Sequence, residues 1–404
     1  MSATPQEAGS GARLGYALLA YMLGVTLIIT LLPFHFRWPD EWRVMLGGDV
    51  IDVVANVLLF IPLGFFYRLA QPSRSRSTLQ VLALGALVSI AIESAQLFEA
   101  VRNASPLDVA TNAIGAWLGA LAADQVARAA KVGGRLVGWL VLELPLMGLI
   151  YLLVPLLWVD ALSSAAEPVR GAMAPLLAVF GALLLGGMQR HYFAPARTSR
   201  PHRTAAFAAL WFLAGAFPAF ATRPLAATLG TIGAGVLCWW HGRGAPGVAA
   251  ANRRFEASLL KRAAPFYAVY VVLLAVAPLH HGFGPWAVHA GFPAAASDQI
   301  EILRLLELVA AFTLVGYMVA EFGGRAIAGY RDALPRLIAW AVGLACALEV
   351  VQGFRAGHGA SIARGALVAA AALYGGWLYY LQRAHVIRLL AGNGPKPQAT
   401  PDSD

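Results

Sequence analysis

Six polar side chains interrupt the apolar sequence between residues 49 and 121, and their spacing is that of helix faces. Asp52 and Asn56 lie four apart, Glu93 and Gln96 three, Asp108 and Asn112 four. Residues three or four apart share one face of a helix, so each pair projects together. Their surroundings are apolar: DVIDVVANVLLFIPLG, SIAIESAQLF and SPLDVATNAIGAWLGAL. A carboxylate at the centre of a bilayer costs about 3 kcal/mol on insertion scales, so it calls for a partner or a task. Two tasks suit these residue types. Glu93 is the candidate general acid or base, with Asp108 orienting it or helping to hold a divalent cation. Alternatively, the amides of Asn56, Gln96 and Asn112 both donate and accept, which suits the hydroxyls and amides of an amphipathic ligand. Arg102, in the adjoining loop, is the nearest cation by sequence to Glu93.

Each residue also has a structural role to weigh. Ser105-Pro106-Leu107-Asp108 has the order of a helix start: serine at the N-cap, proline at N1 and an acid at N3. Asp49 and Asp52 are candidate caps of the preceding span. Gly115 and Gly119 form a GxxxG pattern, the signature of close helix packing. Pro62 lies inside an apolar run and would free a backbone carbonyl. His280 and His281 are adjacent but lack the convergent ligands of a metal site. Cys238 and Cys346 lie in apolar runs without disulfide or zinc spacing. No metal and no cofactor is called for, and there is no Gly-rich phosphate cradle.

The elements that must carry these residues are transmembrane helices. Of 404 residues, 59% are hydrophobic and 13% charged, against about 25% charged in a soluble domain. A hydrocarbon core of about 30 Å needs about 20 apolar residues per helix. Such runs recur near 14–33, 51–69, 79–98, 107–127, 137–158, 169–188, 204–221, 224–240, 264–280, 301–321, 334–353 and 363–381, twelve in all. The pair at 204–240 is the weakest, with only Arg223 and Pro224 between its members. The net charge of +9 is nearly all arginine, in short breaks between apolar runs. This distribution fits membrane topology rather than nucleic acid. With the N-terminus inside, 22 of the 30 basic residues fall in inner segments, which places both termini in the cytoplasm. The six polar residues then lie at one level in the outer leaflet.

Residues 264–382 look like a weak copy of 14–127. FIPLGF at 60–65 parallels FTLVGY at 312–317, and IESAQLF at 92–98 parallels LEVVQGF at 348–354. Aligning 105–119 with 358–372 puts Ser361 opposite Asp108 and Gly365 opposite Asn112. Glu349 and Gln352 are retained in the copy. The expected architecture is an all-α polytopic membrane protein of about twelve helices: a four-helix unit at 1–130, a four-helix middle segment at 131–255, a degenerate parallel repeat at 256–390 and a disordered tail at 391–404. Parallel repeats about an axis along the membrane normal are a known plan among transporters.

The order of residues in 31–121 resembles the VanZ-like family. Pro33 follows the first span, Asn56 and Pro62-Leu63-Gly64 lie in the second, Glu93 and Gln96 in the third, and Asp108, Asn112 and Gly115 in the fourth. The resemblance implies a bacterial inner-membrane protein and a link to low-level glycopeptide resistance. It implies no settled reaction.

Three functions follow from these residues. The first is binding or protection of an amphipathic envelope lipid or lipid-linked glycan at the outer face, through Asp52, Asn56, Glu93, Gln96, Arg102, Asp108 and Asn112. The second is an enzyme acting on an envelope lipid through Glu93 and Asp108. The third is a transporter or flippase. The expected partner is membrane lipid, not nucleic acid, and no protein partner is indicated.

Overall fold

The computed structural model describes residues 5–39, 41–71, 77–131, 145–164, 173–193, 201–243, 255–276, 282–292, 299–323, 329–355 and 359–392. His280, His281 and nearly all of the 391–404 tail lie outside the described residues. Thirteen helices are described: α1 (Pro5–Leu31), α2 (Val50–Ala70), α3 (Thr78–Gln96), α4 (Pro106–Lys131), α5 (Pro145–Ser164), α6 (Ala174–Phe193), α7 (Pro201–Gly215), α8 (Ala219–Thr222), α9 (Pro224–Gly242), α10 (Phe255–Val276), α11 (Gln299–Gly323), α12 (Tyr330–Gly353) and α13 (Ile362–Gly392). Two short strands, β1 (Val288–His289) and β2 (Ala360–Ser361), pair in parallel.

The protein is an all-α polytopic bundle. Eight of the described helices are long and apolar enough to cross a membrane: α1, α2, α3, α5, α10, α11, α12 and α13. The other four expected spans are also helices, α4, α6, α7 and α9, but shorter or less apolar. α7 has 15 residues, about 22 Å at ~1.5 Å per residue, short of a full crossing.

Small residues set the packing of the first unit. A Cβ on Gly64 would strike the carbonyl of Ala116, one on Gly115 that of Val57, and one on Gly119 that of Ile61. Glycine at these three positions brings the backbones of α2 and α4 into contact, as the GxxxG pattern predicts. The guanidinium of Arg68 clasps Asp124 at 2.9 Å near the far ends of the same two helices. In the last unit α11 and α13 meet the same way, with Gly316 against Ala372 and Gly375 against Thr313. α5 lies against α11 at the centre, where Leu149, Leu153, Leu156 and Leu157 are fully buried. α1 reaches the last unit through the Tyr374 hydroxyl, which donates to the carbonyl of Ala17 at 2.7 Å.

Candidate functional site

The ends of α1 and α3 and the starts of α2 and α4 meet at one end of the bundle, tied by loop backbone. Arg37 N–H donates to the carbonyl of Phe98, and Met45 N–H to that of Ala104. α2 starts at Asp49, whose carboxylate accepts from Ile51 N–H at 2.8 Å. α4 starts at Ser105, whose hydroxyl accepts from Asp108 N–H at 3.4 Å. Both are the expected side-chain caps of orphan N–H groups.

These starts bring most of the polar residues together. Glu93 is buried, and its Oε2 accepts from Ser105 N–H at 2.7 Å. Asn112 is buried and donates to the Ser89 hydroxyl at 2.9 Å, one turn below Glu93. The Asn56 side chain faces Asp108 closely enough to favour its charged form. Asp52, exposed at the start of α2, acts electrostatically on Asp108. Asn56, Glu93, Asp108 and Asn112 are thus linked through Asp108 and Ser89 in one polar cluster between α2, α3 and α4, termed the notch below. Two details leave polar groups there unmet. The Oδ1 of Asn112 is buried with no hydrogen-bond partner among the described residues. Among those residues neither Glu93 nor Asp108 is in an ion pair.

The remaining two residues serve elsewhere. Gln96 turns to α1, its amide donating to the carbonyl of Thr30 at 2.8 Å. Arg102 donates to the carbonyl of Leu32 at 3.2 Å and reaches Glu93 only through its field.

The arrangement also shows what Asp108 is not needed for. In a capping box, the acid at N3 reaches back to the N-cap N–H. Here Glu93, from a different helix, already holds the Ser105 N–H.

Residues 10–127 match the VanZ/LLP1 family model. The match lies on the first part of the chain, α1 to α4, and takes in Asn56, Glu93, Asp108 and Asn112. No curated protein and no solved structure matched the chain.

Much of the VanZ-like domain's hydrogen bonding recurs in α10 to α13. Gln352 donates to the carbonyl of Ala275 at 2.7 Å, as Gln96 does to Thr30. Glu349 Oε2 accepts from Ser361 N–H at 2.6 Å, as Glu93 does from Ser105. The Ser361 hydroxyl accepts from Arg364 N–H at 3.1 Å, as Ser105 does from Asp108. These bonds correct the sequence alignment of the fourth helix: Ser361 stands in the place of Ser105, not of Asp108. Arg364 takes the place of Asp108 and Val368 that of Asn112. Arg364 clamps Glu349 in both directions, at 2.8 and 2.7 Å. The same helix start thus forms with an arginine at N3, although a cation there is disfavoured by the helix dipole. An acid at this position is dispensable for the cap.

Other buried acids escaped the reading of the sequence. Glu307 on α11 is fully buried and accepts from the Tyr270 hydroxyl and the Ser163 hydroxyl, each at 2.8 Å. Asp160 on α5, in the middle segment, is also buried and acts electrostatically on Tyr270. The signal is present in the sequence: each is an acid within an apolar stretch, the same rule that singles out Glu93. Glu99, just past α3, is buried as well.

Proposed function

We propose that this chain is a multi-pass protein of the bacterial inner membrane whose VanZ-like domain binds the head group of an amphipathic envelope lipid or lipid-linked glycan. The notch of Asn56, Glu93, Asp108 and Asn112 takes the polar group, and the acyl chain stays in the bilayer. Both termini are cytoplasmic, so the notch faces outward. The observation that carries this reading is the contrast between the two units. At equivalent places, one has Glu93 and Asp108 without an ion-pairing cation, and the other has Glu349 closed by Arg364. An acid pair and an amide with a vacant acceptor suit a ligand rich in hydroxyl or amino donors. Bound lipid of that kind is also screened from external agents, the protective role that the family resemblance implies. Glu93 has one oxygen committed to Ser105 N–H, which favours a holding role over proton transfer.

The test is Asp108→Arg, which copies the Glu349–Arg364 pair into the VanZ-like domain. The variant is expected to fold, because the other unit folds with that arrangement. Native mass spectrometry of protein extracted with its own lipids should show retained lipid reduced tenfold or more. Retention equal to wild type in a folded variant sinks the proposal.

A further inference from the structure

A concavity lies beside the polar cluster of the notch at the same end of the bundle, with Arg102, which acts on Glu93, in its lining. It has a volume of about 260 Å³ and lies between the α1–α2 loop and the end of α3. Its lining includes Arg37, Arg43 and Arg102 with Glu41 and Glu99. Three features set it apart from an ordinary wet crevice.

The first is its arginines. Only eight of the chain's 30 basic residues fall in segments assigned to the outer side, and three of these line this one cavity. Topology discourages arginine there, so the concentration needs another cause. Among the described residues none of the three is in an ion pair. Guanidinium groups present several donors in a fixed plane and match the oxygens of a phosphate.

The second is Glu99. It is only 4% exposed, yet neither carboxylate oxygen has a hydrogen-bond partner among the described residues. A buried carboxylate without partners is costly, and a cavity beside it is where a donor would sit. In the other unit Arg355 occupies this position. The backbone bridge Phe36–Glu99 recurs there as Phe283–Arg355, and Arg355 donates to Gln352 at 3.1 Å. Glycine and alanine, Gly284 and Ala287, take the backbone roles of Arg37 and Arg43. The positive charges of Arg37 and Arg43 and the negative charge of Glu99 are therefore not repeated in the last unit.

The third is its setting. Trp38 and Trp42 flank the cavity, 78% and 61% exposed, with their rings 5.6 and 6.0 Å from that of Phe98. Exposed tryptophan at the end of a helical bundle marks the level of lipid head groups.

We propose that this cavity binds the phosphate ester of a lipid head group, the arginines taking the phosphate oxygens and Glu99 accepting from a hydroxyl or amino group beside it. The proposal deepens the reading of the notch by naming the anionic part of the ligand. It fails or stands on different residues.

The experiment uses full-length protein in a phosphate-free glycoside detergent. Intrinsic tryptophan fluorescence follows titration with dihexanoyl phosphatidylglycerol, dihexanoyl phosphatidylmethanol, dihexanoylglycerol and inorganic phosphate. Phosphatidylglycerol is expected to bind saturably, with dihexanoylglycerol at least tenfold weaker. Arg37→Gln/Arg43→Gln should weaken both phospholipids tenfold or more. Both arginines are exposed, so folding is not at stake. Glu99→Gln should abolish the preference for phosphatidylglycerol over phosphatidylmethanol, which lacks the hydroxyl donors. Wild-type binding by the double arginine variant overturns the site, as does equal binding of dihexanoylglycerol. Inorganic phosphate binding as tightly as phosphatidylglycerol overturns the lipid source. Retention of native lipid by Asp108→Arg is a separate reading, so failure of one test is distinguishable from failure of the other.

Discussion

Replacing Arg364 by alanine separates the two units by their energetics. Wild-type Glu349 accepts three hydrogen bonds, from Ser361 N–H at 2.6 Å and from Arg364 at 2.8 and 2.7 Å. The pair is largely enclosed, with side chains 9% and 12% exposed. Arg364→Ala leaves a carboxylate with one N–H in a nearly dry place and also frees the Gly359 carbonyl, which Arg364 holds at 3.0 Å. Removing one partner of a buried ion pair costs about 3–5 kcal/mol, a shift of about 10²–10⁴ in the unfolding equilibrium at ~1.4 kcal/mol per tenfold. The equivalent Asp108→Ala breaks no ion pair and leaves the Ser105 cap intact. Its expected cost is below about 1 kcal/mol, the scale of hydrogen bonds between helices in membranes. Denaturation in mixed micelles, followed by circular dichroism, measures both variants against wild type. If Arg364→Ala unfolds within about 1 kcal/mol of wild type, the ion pair does not close the second unit, and the contrast between the units loses its meaning.

Asn112→Ala removes the bond to Ser89 and the vacant Oδ1 together. It should change stability by about 0.6 kcal/mol while lowering lipid retention severalfold; a large stability loss with unchanged retention would make Asn112 a packing residue. Gly119→Val should prevent the α2–α4 contact, because the added side chain meets the Ile61 carbonyl, and loss of the monodisperse peak in size-exclusion chromatography checks this.

The distance over which a feature is determined decides how well the sequence reports it. Local features were readable. The Ser105 cap depends on residues within one turn, and the glycines of α4 on a four-residue period. The helices sit near the places where apolar runs predicted them, because length and hydropathy are local too. That the polar ends of α2, α3 and α4 lie at one end of the bundle follows from topology, since consecutive spans alternate in direction. Features set by partners far along the chain were not readable. Gln96 shares a face with Glu93 by spacing, yet its amide is taken by Thr30 on α1. The register of α13 is not legible because its alanine-rich sequence offers few landmarks, and the serine that fixes it acts through a bond to Glu349 on α12. The arginine cavity was hidden because loop backbone at Phe98 and Ala104 gathers residues from separate breaks. Asp160 and Glu307 are hard to single out because their partners, such as Tyr270 and Ser163, lie on other helices.

The most direct measurement is a high-resolution density map of the protein in nanodiscs of native lipid. The account predicts an ordered head group within hydrogen-bonding reach of Asn112 Oδ1 and Asp108, absent from the Asp108→Arg variant. A notch filled only by protein side chains, with ordered lipid confined to other faces of the bundle, would contradict it.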